Sequence, residues 1–187
     1  FLDFKSFYLV YSARYAAQLV LVVFVEHKRK DYFEMVVHHS VTALLILLSV
    51  SAGHMKIGGV VMITLDFAEP PLHFAKCFKY VYEARDWIWC QRLADVFIVI
   101  FALCFLPTRL GFFGYELWSA QVEGPPLCGG YTWAAWGCCA LLDVLYVLQM
   151  YWSKLLVVAI YKAVITGGID DVRSDRDDDD GQRKIDC

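Results

Sequence analysis

A pair of adjacent histidines and three further ionisable residues interrupt the apolar parts of this sequence. His38 and His39 lie about one turn inside one apolar segment, and Asp66, Glu69 and His73 lie in the next. Ionisable groups at bilayer depth are costly and by default mark a functional path. Spacings of three and four residues place the second set on one face of a helix. The pattern therefore predicts a reactive polar site in apolar surroundings.

The types of these residues favour acyl transfer. A neutral imidazole can attack a thioester and carry the acyl group briefly, which splits one difficult step into two easier ones. A carboxylate on a facing helix, such as Asp66 or Glu69, can orient the ring, stabilise imidazolium or accept a proton from an amine. Adjacent residues diverge by about 100° on a helix. We therefore expect one of His38 and His39 to react, while the other holds a carbonyl, water or carboxylate.

The polar residues allow two other interpretations. In the first, they pair across a bundle and only hold helices together; Arg14, in the first apolar segment, then either finds an acidic partner or reaches the membrane surface. In the second, they bind metal, as in membrane hydroxylases that carry clustered histidines. This chain has five histidines, and none are spaced three or four residues apart. The sequence therefore predicts no metal site.

The elements that must position these residues are membrane-spanning helices. The chain is 59% hydrophobic and 20% charged, against about half and a quarter in soluble domains. Segments of about 20 apolar residues can cross the bilayer as helices, the structure that satisfies backbone groups in lipid. We predict an all-α, polytopic transmembrane bundle over residues 1–166 and a disordered acidic tail over 167–187. Five spans are predicted, at 7–25, 35–52, 57–74, 93–113 and 132–165.

The basic residues between the spans predict the orientation of the chain. Counts of Lys and Arg in successive connections and the tail run 3, 1, 4, 1 and 5, with Arg109 alone in the fourth. By the positive-inside rule, the first, third and fifth of these segments face the cytosol, including the C-terminal tail. The composition gives no support for nucleic-acid binding.

Pro70 and Pro71 break the regular pattern beside the two carboxylates. Proline lacks the amide that would bond the carbonyl four residues back, so the carbonyls of Asp66 and Phe67 lose their helical partners. The sequence leaves open whether this break is a packing kink or a functional opening.

Several stretches resemble the ceramide synthase branch of the TLC-domain family. Residues 28–42 (KRKDYFEMVVHHSVT) are similar to that family's basic–aromatic entry into its paired-histidine helix. Residues 64–69 (TLDFAE), followed by Ala75 and Lys76, resemble its second motif. Residues 108–111 (TRLG) and the tail stretch 173–177 (RSDRD) also match the family. The resemblance covers nearly the whole chain.

The resemblance implies a multi-pass enzyme of the endoplasmic reticulum that transfers the fatty acyl group of acyl-CoA to the amine of a sphingoid base. Acyl-CoA is then a co-substrate, and no cofactor is implied. The resemblance also implies His38 and His39 as the catalytic pair with Asp66 and Glu69, and a loop at 117–131 that helps to set acyl-chain length. The partners would also include membrane lipid and a second subunit in a homo- or heterodimer. We expect substrate to be bound by a further set of residues: Lys28, Arg29, Lys30, His73 and Lys76.

Three departures from the family pattern keep alternatives open. Leu65 stands where the family usually has His, Glu69 replaces an Asp, and His73 stands where a Glu is expected. A TLC-domain relative that binds or senses lipid without catalysis would show such losses. A transporter that uses intramembrane carboxylates is the third possibility. Because the chain begins at Phe1 within an apolar stretch, we expect the N-terminal part of the domain to be missing.

Overall fold

The computed structural model describes residues 2–25, 31–127 and 129–166. Within these ranges the regular structure is helical: α1 (Leu2–Phe24), α2 (Tyr32–Ser51), α3 (Met55–Asp66), α4 (Glu69–Arg85), α5 (Ile88–Leu106), α6 (Phe113–Trp118), α7 (Gly124–Leu127) and α8 (Trp133–Thr166). Four helical stretches of the described chain are long and apolar enough to cross a membrane: Lys5–Phe24, Tyr32–Ser51, Ile88–Leu127 and Trp133–Lys162. The predicted all-α bundle is confirmed.

Helix α2 is the central element of the bundle, because it packs against both α1 and α8. The chain leaves α2 through a short turn in which Gly53 takes a φ of +75°, a conformation that glycine adopts at little cost. Helices α4 and α5 form a second pair. They are joined at Asp86, whose φ of +52° ends α4 in the left-handed region. The connection is therefore short, and the two helices lie side by side.

The predicted third span, 57–74, is not a single helix. Helix α3 ends at Asp66 and α4 begins at Glu69, with Phe67 and Ala68 in a turn between them. The reason is the expected one: Pro70 and Pro71 provide no amide for the carbonyls one turn back. The break was predicted correctly, whereas the continuous span across it was wrong.

The predicted end of the fourth span and the loop at 117–131 were also wrong. The helical stretch runs without interruption from Ile88 to Leu127 and contains two π-helical segments, Pro107–Phe112 and Ser119–Glu123. Proline inside a helix removes one bond of the ladder, and the wider π turn absorbs the mismatch without ending the helix. Arg109 is consequently a buried helical residue and not a loop cation. The orientation of the bundle, which used that residue in its count, stays a prediction.

Candidate active site

Helix α2 presents the two histidines to different surroundings. His39 is 6% exposed and lies on the buried face of the helix with Thr42 and Leu45. The His38 ring meets the His39 ring at 5.3 Å between centroids, with their planes 73° apart. It also meets Trp152 of α8 at 5.2 Å and 76°, an edge-to-face contact. The His38 ring thus lies at the interface between α2 and α8.

The two carboxylates are held together by an arginine from α1. Arg14 Nη1 donates to Asp66 Oδ2 and Nη2 donates to Glu69 Oε2, each at 2.5 Å. The Tyr15 hydroxyl donates to the other oxygen of Asp66 at 2.8 Å. This settles the open question about Arg14, which finds acidic partners inside the bundle. Among the described residues, neither Asp66 nor Glu69 forms a hydrogen bond to the histidine pair.

The helix break makes this bridge possible. Asp66 is the last residue of α3 and Glu69 the first of α4, so the turn at Phe67 and Ala68 sets both side chains toward the same guanidinium. Ala68 is fully buried and packs with Phe105 and Trp152 in one core cluster. Since Trp152 also contacts His38, the carboxylate bridge and the histidine pair lie on either side of the same cluster.

The remaining predicted site residues lie farther out or outside the described ranges. His73 and Lys76 are exposed on α4, one and two turns beyond Glu69. Lys28, Arg29 and Lys30 fall among residues 26–30, which lie outside the described residues, as does the predicted acidic tail. The structure therefore brings Asp66 and Glu69 together through Arg14 and leaves His73 and Lys76 at the surface.

Sequence reasoning missed four buried polar residues at this level of the bundle. Each has a buried side-chain nitrogen or oxygen with no hydrogen-bond partner in the described part of the chain. The Arg109 guanidinium lies 5.1 Å from the centroid of the Phe105 ring, which belongs to the core cluster of Ala68 and Trp152. The other three lie on α8. The set is Arg109, Gln149, Trp152 and Ser153.

A signal for two of these residues was present in the sequence. Arg109 is a lone cation within an apolar run, and Gln149 is a lone amide within another. Isolated polar side chains in membrane helices usually face the bundle interior. The count of basic residues assigns Arg109 to the connection after the fourth span although it lies within residues 93–113, and the sequence analysis does not use Gln149.

The opposite end of the bundle holds a small apolar pocket that is open on one side. Leu45 of α2, Val61 of α3 and Cys138 of α8 line its walls, and the same residues belong to the largest apolar core cluster. Nearby, the Thr64 hydroxyl donates to the Glu116 carboxyl at 2.6 Å. Helices α2 and α8 thus pass from a polar level at His38 to an apolar pocket.

No three His, Cys, Asp or Glu side chains in ranges 2–25, 31–127 and 129–166 are close enough to share a metal ion. The residues present in the described site are instead an imidazole pair, a bridged pair of carboxylates and a set of nitrogen donors.

The sequence of the chain matches a known protein family. The family model described as TLC domain matches residues 2–158. Ceramide synthase 4 of Bos taurus is 33% identical over 96% of this chain and 45% of its own length. Ceramide synthase 5 of Mus musculus is 32% identical over 90% and 39%. Sphingosine N-acyltransferase lac1 of Schizosaccharomyces pombe is 30% identical over 95% and 47%. The chain spans less than half the length of these relatives, and it belongs to the TLC-domain family.

Proposed function

We propose that this chain is the membrane-embedded core of a ceramide synthase, which transfers a fatty acyl group from acyl-CoA to the amine of a sphingoid base. The observation that carries the proposal is the His38 ring. It lies inside the bundle against Trp152, and its Nδ1 atom is buried with no hydrogen-bond partner among the described residues. Relatives named ceramide synthase or sphingosine N-acyltransferase match over most of the chain.

In the first step, a ring nitrogen of His38 attacks the thioester carbonyl carbon. The new C–N bond pushes the carbonyl electron pair onto oxygen. When the carbonyl re-forms, the C–S bond breaks and the CoA thiolate leaves with its electron pair. The product is an N-acylimidazolium on His38, which keeps the ring N–H and balances the charge of the CoA thiolate, and the transfer is split into two steps.

In the second step, the uncharged amine of the sphingoid base attacks the same carbonyl carbon. The amide C–N bond forms, the bond to the His38 nitrogen breaks, and the imidazole is regenerated. The amine loses one proton, which ends on the CoA thiolate or in water. The balance is acyl-CoA plus amine giving amide plus CoA thiol.

The bridged carboxylates have an electrostatic role in this scheme. Asp66 and Glu69 are already bonded to Arg14, so neither is free to orient a histidine directly. Arg109 is a second buried cation at this level, so the two carboxylates and the two guanidiniums balance in charge. The carboxylates offset the charge of Arg109, which would otherwise oppose the imidazolium and the cationic amine adduct as they form. Asp66, whose other oxygen accepts from Tyr15, is the group that we assign to take the amine proton transiently and pass it to the CoA thiolate or to water.

We assign the acyl chain to an apolar path along the α2–α8 interface, from His38 toward the pocket. Eleven residues of α2 separate His38 from Ser49, a pocket-lining residue, which is about 16 Å of helix. Leu45, Leu142 and Leu145 form one core cluster along this path. We assign the pocket to the methyl end of the acyl chain, while CoA stays at the cytosolic surface. Lys28, Arg29 and Lys30 are the cations that we assign to the CoA phosphates, with His73 and Lys76 as further substrate contacts on α4.

The test is an N-acylation assay on the full-length protein in microsomes, with a labelled sphingoid base and a panel of acyl-CoAs. We expect the parent to form ceramide, and His38→Ala to form at least 100-fold less, since the nucleophile is lost. Ser40→Ala changes an exposed residue of the same helix, close to the histidine pair, and is the control. Ceramide formation by His38→Ala at the parental rate would remove His38 from the reaction.

A second function is favoured by one residue, Leu65. It stands where the family usually has His, and here it is 4% exposed within an apolar cluster with Leu45 and Phe113. The side chain of Leu65 therefore packs in the apolar core. A lipid-binding or lipid-sensing protein without catalysis would need no histidine there. If a well-folded parent binds acyl-CoA or sphingoid base but forms no ceramide with any of the acyl-CoAs, this second function replaces the first.

A further inference from the structure

The inner face of α8 carries polar groups that the carboxylate bridge and the histidine pair leave unused. Gln149 is fully buried and Trp152 is 7% exposed. Gln149 Nε2, Gln149 Oε1 and Trp152 Nε1 are buried without a hydrogen-bond partner in the described ranges. A buried polar atom without a hydrogen-bond partner destabilises a fold. Two such side chains on the helix that contacts His38 therefore indicate a ligand that pairs with them.

Helix geometry places these groups together. Gln149 and Trp152 are three residues apart, so their side chains are neighbours on one face of α8. That face packs against α2, where the Trp152 ring meets His38 at 5.2 Å. The π-helical segment after α5 adds Arg109, which is buried with its Nε atom unpartnered among the described residues. Its guanidinium lies 5.1 Å from the centroid of the Phe105 ring, and Phe105 belongs to the same core cluster as Trp152.

The chemistry of this set selects its ligand. The indole of Trp152 and the guanidinium of Arg109 only donate hydrogen bonds, and the Gln149 amide donates through Nε2. A protonated amine, which also donates, would be repelled by Arg109. The CoA phosphates are strongly hydrated and would not enter a level enclosed by apolar side chains. An oxygen with growing negative charge, bound to the carbon that His38 attacks, fits a set of donors.

We propose that Gln149, Trp152 and Arg109 form the site for the carbonyl oxygen of the acyl group, and that they stabilise this oxygen when it becomes an oxyanion. This inference rests on the proposed acyl transfer at His38. In each of the two steps the carbonyl electron pair moves onto this oxygen and returns when the leaving group departs. Fixed donors aimed at developing charge are often the largest single contribution to such catalysis.

The test uses variants that remove a donor and keep the volume. Trp152→Phe retains an aromatic ring without its N–H, and Gln149→Met retains the length without the amide. Trp136→Phe and Gln121→Leu are the matched controls, because Trp136 is half-exposed and Gln121 bonds Asp143 outside the bundle. Arg109 is left unchanged, since loss of a buried cation beside two carboxylates would alter stability as well.

The measured quantity is the rate of CoA release in a single turnover by the full-length protein, together with the KM for acyl-CoA. Loss of one oxyanion donor costs roughly 10²-fold in rate. We expect both donor variants to lose about that much with KM changed less than threefold, and both controls to match the parent. A structural role would instead lower the amount of folded protein and leave the rate per folded molecule unchanged.

Two outcomes would overturn the inference. The first is a parental rate of CoA release per folded molecule in both donor variants, while the parent still makes ceramide; the oxygen site is then wrong and the proposed function stands. The second is a loss that appears only in KM, which would assign these residues to ground-state binding. If the parent releases no CoA and forms no ceramide, the proposed function is wrong, and the oxygen site, which rests on it, is wrong as well.

Discussion

The two ends of the α2–α8 interface are built on the same helices but differ in nearly every physical property. At the level of His38, the inner face of α8 carries Gln149 and Trp152. About three turns away, the same face carries Cys138 and Leu142, which line the apolar pocket. One stripe of one helix therefore changes from polar to apolar along its length.

The difference shows how one bundle can separate two tasks. The polar level is held by directed interactions, above all the bridge from Arg14 to Asp66 and Glu69, and such interactions fix atoms where bonds are made. The apolar level is held by packing of aliphatic side chains, and packing selects a ligand by shape and length. In our proposal, the first level determines the reaction rate and the second determines which acyl chain is accepted.

Arg14→Met tests the polar level and should have the largest effect on stability. It leaves two carboxylates inside the bundle without their cation, and breaking a buried pair costs about 3–5 kcal/mol. Because the Arg14 side chain is 38% exposed, we expect a value near the lower end of that range. Thermal unfolding in detergent, followed by size-exclusion fluorescence, measures the loss as a fall in Tm.

Two further variants control this prediction. Lys154→Met removes an exposed cation from α8 and should leave the Tm unchanged. Adding Asp66→Asn and Glu69→Gln to Arg14→Met removes the unpaired charges and should recover most of the lost stability. An Arg14→Met protein as stable as the parent would show that the bridge does not hold the helices.

Cys138→Phe tests the apolar level and should have a smaller, selective effect. The added ring would occupy part of the pocket that Cys138 lines. Each excluded methylene of the substrate forfeits about 0.8 kcal/mol, so excluding two would lower kcat/KM for the longest accepted acyl-CoA roughly tenfold. Shorter acyl-CoAs should react as before. The assay is a kcat/KM comparison across acyl-CoAs of increasing length.

Ala140→Phe adds the same ring at an exposed position of α8 and is the matched control. A uniform loss across all chain lengths in Cys138→Phe would mean that the pocket does not receive the acyl chain. Overpacking alone costs about 1–3 kcal/mol of stability, so rates are compared per folded molecule.

Much of the fold could be predicted from the sequence, because membrane helices are determined by length and hydropathy. The helices around His38 and in the final span were found where apolar runs of spanning length predicted them. The break at Asp66 was also foreseen, since Pro70 and Pro71 act on the backbone locally. Orientation, the acidic tail and the basic stretch 28–30 stay predictions.

The rest could not be predicted, because it depends on contacts between distant helices. Arg14 lies 52 residues from Asp66, and no sequence pattern in either segment indicates that the two residues pair. The continuation of the fourth span beyond residue 113 was missed, because Glu116 and Glu123 interrupt the apolar run without ending the helix. Arg109 was missed because it was counted with the connection after that span. The candidate site was thus half predicted: the sequence pointed to the histidine pair and the two carboxylates, whose roles stay predictions, and the buried donors Arg109, Gln149 and Trp152 were missed.

The most direct test of acyl transfer at His38 is a search for the acyl-enzyme. Full-length protein is mixed with labelled acyl-CoA in the absence of any sphingoid base, and both released CoA and protein-bound label are counted. The proposal predicts about one equivalent of each per enzyme, conversion of the bound label to ceramide when base is added, and neither signal in His38→Ala. CoA release that begins only when base is present, with no label on the parent at any time, would contradict it.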